Sequence, residues 1–192
     1  PTSIIDTANN GGTAAGAGIT LGGAVDGTLA NTQSLSLNAG TGGAIAASST
    51  IGTGTSLATL TVTNSNGATF SGAVTTGTSV VLTDTTDATA ITFNGALTTP
   101  TLTTAAQGYN LVLNGGATIT NAVSFAHTGT LTLGNDAADV LLFDGGLTAT
   151  DPSGVTLNGT ARTSGGAVAR GGGSTARTRA TRPRVARRRR GR

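Results

Sequence analysis

Residues 91–136 read ITFNGALTTPTLTTAAQGYNLVLNGGATITNAVSFAHTGTLTLGND. Three apolar–x–apolar triplets, ITF, LVL and LTL, end at Phe93, Leu113 and Leu133, twenty residues apart, and each runs into an Asn/Gly pair. Further apolar centres at Leu102 and Val123 divide the interval, and Phe143 continues the series, so centres follow one another every nine to eleven residues. The same unit occurs outside this stretch as ITLGG (19–23), LSLNAG (35–40), LLFDGGL (141–147) and VTLNGT (155–160). Inside each unit the apolar residues alternate with Thr or Ser, as in Thr59-Leu60-Thr61-Val62-Thr63. Period-two alternation buries one face of a strand and wets the other. The Asn-Gly and Gly-Gly pairs that follow supply positive φ at low steric cost and let the chain turn. No helical period extends beyond a turn, and Gly with β-branched Thr opposes one. The chain is all-β.

Two architectures space short strands this way, a β-sandwich-like stack and a parallel β-solenoid. The solenoid is favoured because the repeat carries residue identity (TLNG, LNGG, FNGA), because its apolar residues are small to medium, and because Asn recurs at the turns. Stacked amides there can hydrogen-bond from coil to coil. Residues 68–161 are expected to be regular. Residues 1–67 are expected to be irregular, since the centres Leu21, Leu37 and Val62 stand sixteen and twenty-five residues apart.

Charge divides the 192-residue chain in two. All eight acids are Asp and lie between Asp6 and Asp151; all eleven bases are Arg and begin at Arg162, so residues 1–161 carry −8 and residues 162–192 carry +11. There is no Lys, Glu, Cys, Met or Trp. Absence of cysteine removes disulfides, thiolate metal ligands and thiol nucleophiles. No basic segment followed by an apolar run marks a signal peptide, and no stretch approaches the roughly 18 apolar residues of a membrane span. A start at Pro1 suggests a fragment or processed product.

Chemistry-bearing residues are few. His127 is the lone histidine and is expected at the surface of a strand end. As a catalytic base it would need a nucleophile and an orienting carboxylate. Glycoside hydrolysis needs two carboxyl groups at a set separation; Asp84 and Asp87 are near in sequence, in a turn expected to be solvated. Lyase chemistry wants cations to stabilise developing negative charge, and no base precedes Arg162. A catalytic role and a cofactor are therefore not expected. The best metal candidate is Asp136, Asp139 and Asp144 in GNDAADVLLFDGG, a single imperfect copy of a calcium-binding nonapeptide that works by tandem repetition. Thr-x-Thr pairs at 59–61, 61–63, 101–103, 118–120 and 130–132 resemble ice-binding ribbons, but their sequence intervals are unequal.

The segment 162–192 contains only Arg, Gly, Ala, Thr, Ser, Val and Pro. As protein it is expected to be disordered. Arg182, Arg184, Arg187, Arg188, Arg189 and Arg190 would bind nucleic acid or another polyanion without selectivity. A frame slip in a GC-rich repeat gene gives the same composition, since ACG GCG ACG (Thr-Ala-Thr) shifted by one base reads CGG CGA (Arg-Arg). The expectation is an out-of-frame terminus beginning where the strand pattern stops, near Thr160.

From about Ala14 to Thr160 the chain resembles the repeat regions of filamentous-haemagglutinin-like exoproteins and autotransporter passengers of Gram-negative bacteria. QSLSLNAGTGG (33–43), SLATLTVTNSNGATFSGAV (56–74), ITFNGALTTPTLTTAAQGYNLVLNGG (91–116) and TGTLTLGNDAADVLLFDGGLTATDPSGVTLNGT (128–160) carry the resemblance. It implies a right-handed parallel β-helix, secretion to the bacterial cell surface, and a structural or adhesive role. The implied partners are surface glycans or proteins and the neighbouring repeats of a longer chain. Bare terminal coils are expected to associate end to end.

Overall fold

The computed structural model describes residues 1–171. Every strand pairing in it is parallel, and the chain winds through about seven stacked turns of a β-solenoid. Parallel pairing throughout is incompatible with a sandwich of hairpins, which pairs neighbouring strands antiparallel.

Each coil has three faces. The first face collects Thr2–Asp6, Ser34–Asn38, Leu57–Asn64, the second half of Val74–Leu82, Thr101–Thr104, Val123–Ser124, Leu147–Ala149 and Val168–Arg170. Pairing on this face breaks between Thr101–Thr104 and Val123–Ser124, which touch without forming a ladder. The second face runs unbroken through Ile19–Leu21, Ile45–Ala47, Ala68–Phe70, Ala90–Phe93, Asn110–Leu113, Thr130–Leu133 and Gly154–Leu157. The third begins as single bridges at Val25 and Ile51, then takes in the first half of Val74–Leu82, Leu97–Thr99, Ala117–Ile119, Val140–Phe143 and Thr160–Arg162.

The twenty-residue repeat is the coil itself. Phe93, Leu113 and Leu133 are register partners on the second face, and the column extends through Leu21, Ala47, Phe70 and Leu157. The Phe70 and Phe93 rings stack with centroids 4.8 Å apart, the spacing of neighbouring strands. A side chain inside a narrow parallel solenoid therefore lies over its counterpart one coil away. Between the buried columns, Thr20, Ala46, Thr69, Thr92, Val112, Thr132 and Thr156 form one outward file.

Two expectations need correction. Residues 1–67 do have longer coils and a register shift between Leu37 and Asn38, but the centres Leu21, Leu37 and Val62 do not mark successive coils. Leu21 and Leu37 lie on different faces, and the true partner of Leu21 is Ala47, while Leu37 pairs with Val62. The second-face partners Ile19, Ile45, Ala68, Ile91, Leu111, Leu131 and Val155 are 26, 23, 23, 20, 20 and 24 residues apart, so early coils are longer but stack in the same way. Nor does the body stop at residue 161. Thr160–Arg162 pairs with Val140–Phe143, and Val168–Arg170 pairs with Leu147–Ala149, which carries the stack through Arg162 to Arg170. The Thr-x-Thr pairs form no single ribbon: 59–61 and 101–103 share the first face with Ser79 and Val81 between them, Thr118 lies on the third face, and Thr130 and Thr132 lie on the second.

The turn glycines act both by positive φ, as at Gly67 (91°) and Gly146 (107°), and by closeness. At the corner between the second and third faces, a Cβ on Gly95 would strike the backbone of Gly72, and one on Gly115 the backbone of Gly95. Positive φ falls instead on Gly116 (80°). Asn114 Nδ2 donates to Asn94 Oδ1 at 2.9 Å, the coil-to-coil amide contact expected at this turn.

Candidate functional site

The corner between the first and second faces is where the coils differ most. In the first coil it is a long loop from Thr7 to Gly18, folded over by Asp6, whose carboxylate accepts from Ala8 N at 2.7 Å and from Asn10 N at 3.0 Å. Thr7 Oγ1 donates to Ala17 O at 2.7 Å and closes the loop. Thr41 N of the next coil donates to Ala14 O at 2.8 Å, which pins the loop against the stack. Later coils turn this corner more tightly, so the loop overhangs them.

Beneath the overhang lies a cavity of about 380 Å³. Ala8 and Ala14 form part of its wall, and Asn64, Thr83, Asp84 and Gln107 line it from three successive coils. None of these four polar side chains hydrogen-bonds within the described residues, and Asn64 Oδ1 is buried without a partner. The contrast with the other carboxylates is sharp. Asp6, Asp26, Asp136, Asp139, Asp144 and Asp151 each accept at least one hydrogen bond. Asp84 and Asp87 accept none among the described residues, and only Asp84 faces this cavity. Asp84 is half-buried and Asp87 exposed in the same turn. The sequence marked both as a solvated pair; it held no sign that the Thr7–Gly18 loop, some seventy residues earlier, walls one of them in.

The metal candidate is not assembled. Asp139 Oδ2 accepts from Asn135 N and Asp136 N at 2.8 Å each, and Asp136 Oδ1 accepts from Ala138 N at 2.8 Å. These two carboxylates fold their own turn. Asp144 lies at the far end of Val140–Phe143, a strand of about 13 Å, and accepts from Ser164 Oγ at 2.6 Å. No group of three metal-ligating side chains occurs among the described residues.

His127 is not at the surface. It is completely buried, stacked on Tyr109 with ring centroids 5.3 Å apart and edge-on to Phe125 at 5.9 Å. Both ring nitrogens lack a hydrogen-bond partner. Burial lowers its pKa from the ordinary 6.5, opposed by the backbone at Thr130. The neighbouring Tyr109 hydroxyl donates to Leu82 O at 3.1 Å, and burial holds that phenol well above its usual range. The imidazole is a neutral spacer in an aromatic interior. The expected polyanion contacts Arg182, Arg184, Arg187, Arg188, Arg189 and Arg190 lie outside the described residues. Neither a protein family, nor a curated protein, nor a solved structure matches the chain.

Proposed function

We propose that the chain is a non-catalytic structural and adhesive segment of a secreted bacterial surface protein of the filamentous-haemagglutinin-like or autotransporter type. The observation that supports this reading is the stack itself: about seven coils around one apolar interior, with a Thr-rich outward file running from Thr20 to Thr156 on the second face. Each coil advances the rod by about 4.8 Å, and each coil leans only on its neighbours. Such a rod sets distance and displays side chains at a fixed pitch. Its partners are surface glycans or proteins and further coils of the same kind.

The test is attachment of beads carrying the chain to bacterial or host cell surfaces, compared with a chain ending at Gly171. Adhesion by the stacked coils persists after that truncation and changes little with salt. The competing reading, polyanion binding by the Arg-rich terminus, requires attachment to vanish with the truncation. It also requires attachment to fall steeply as salt rises from about 50 to 200 mM.

A further inference from the structure

We propose that the cavity under the Thr7–Gly18 loop binds a neutral saccharide through Asn64, Thr83, Asp84 and Gln107. This deepens the adhesive reading and rests on it. A binding site needs polar groups that the fold has left uncommitted, and these four are uncommitted among the described residues, while six of the other seven carboxylates accept hydrogen bonds within turns or from neighbouring residues and coils.

Their chemistry selects the ligand. The Gln107 amide and the Thr83 hydroxyl can each donate and accept, as can every sugar hydroxyl, and Asn64, whose Oδ1 is buried, can donate through Nδ2. The Asp84 carboxylate has room for two donors, which suits a pair of adjacent hydroxyls. Ala14, exposed on the loop, supplies small apolar contact for the C–H face of a ring. A volume near 380 Å³ lies within the range of small-ligand sites, about 300–1,000 Å³. Among the described residues no Arg lines the cavity, and Arg162 and Arg170 belong to the last turns of the stack. An acidic sugar would meet Asp84 with no cation among the described residues to offset it, so the site favours uncharged sugars.

Saturation-transfer NMR on the full chain with soluble neutral gluco-, galacto- and manno-oligosaccharides tests this. The expected result is transfer to at least one series, weakened tenfold or more by Asp84→Ala and by Gln107→Ala and unchanged by Thr156→Ala on the exposed second face. Far-UV circular dichroism should be the same for all variants, since neither Asp84 nor Gln107 makes a side-chain bond that holds the fold. Absence of transfer from every neutral series overturns the proposal, as does transfer that survives Asp84→Ala or displacement by a uronate oligomer. Bead attachment run in parallel separates the two readings. Attachment that persists in Asp84→Ala, without saccharide binding, removes the cavity proposal and leaves adhesion standing.

Discussion

His127 shows what a single buried residue does to this fold. With its pKa lowered by burial, it stays neutral inside the stack while the unfolded chain takes up a proton as the pH falls through about 6.5. The unfolded state then binds more protons than the folded one, so stability falls from pH 7 towards pH 5. Thermal unfolding across that range should show the decline, and His127→Phe, which extends the aromatic stack without a titratable group, should flatten it. An unchanged slope in that variant would assign the pH dependence elsewhere. FAHTG gave no hint of this burial, because Tyr109 covers the ring from another coil. Gly115 gives the opposite lesson: the Asn-Gly signal correctly marked a corner but for an incomplete reason. Its glycine is needed because a side chain would collide with Gly95, and Gly115→Ala should cost about 1–3 kcal/mol by overpacking, measurable by urea titration.

Strands of this chain divide into those the sequence announces and those it hides. Four-residue units such as Asn110–Leu113 and Thr130–Leu133 contain two buried positions and a turn signal, and their twenty-residue spacing made the second face legible. Third-face strands such as Leu97–Thr99 and Ala117–Ile119 have three residues, buried at both ends with a Thr between. One alternation is too short to separate from a loop, so the third face did not stand out in the sequence. Phe143 entered the series as another rung of the same kind, although its partner Ile119 places it on the third face. Within the second-face column Leu113 is fully buried between Phe93 and Leu133. Leu113→Ala should therefore cost about 2–5 kcal/mol. Equilibrium unfolding that shows the loss to be no larger than that of Thr92→Ala, on the outward file beside it, would contradict the column.

At the scale of the whole stack, Thr2–Asp6 pairs on one side only among the described residues, with Ile4 67% exposed and Ile5 36% exposed, and Ile5 sits directly over Leu37. An open parallel edge of this kind pairs with another chain, so sedimentation should show association that grows with concentration, and Ile5→Lys should reduce it. A clean monomer across concentrations would contradict this. Charge segregation made the Arg-rich end look like a boundary at residue 161, whereas backbone pairing continues to Arg170. Composition changes before architecture does, because small residues such as Ala161 and Val168 still take up coil positions. The corner cavity was illegible for a related reason: its residues come from Ala8 to Gln107, and only the stack brings them together.

The stack underlies every contact between coils, and a chain without cysteine allows it to be measured directly. Thr69 and Thr92 are register partners on adjacent coils, while Thr132 lies three rungs from Thr69, about 14 Å away. A disulfide requires Cα atoms within about 7 Å. Paired cysteines at 69 and 92 should cross-link readily within one chain under mild oxidation, and cysteines at 69 and 132 should not. Efficient intrachain cross-linking of 69 with 132, or none between 69 and 92 in a folded chain, would contradict the three-faced solenoid on which both the adhesive reading and the saccharide site rest.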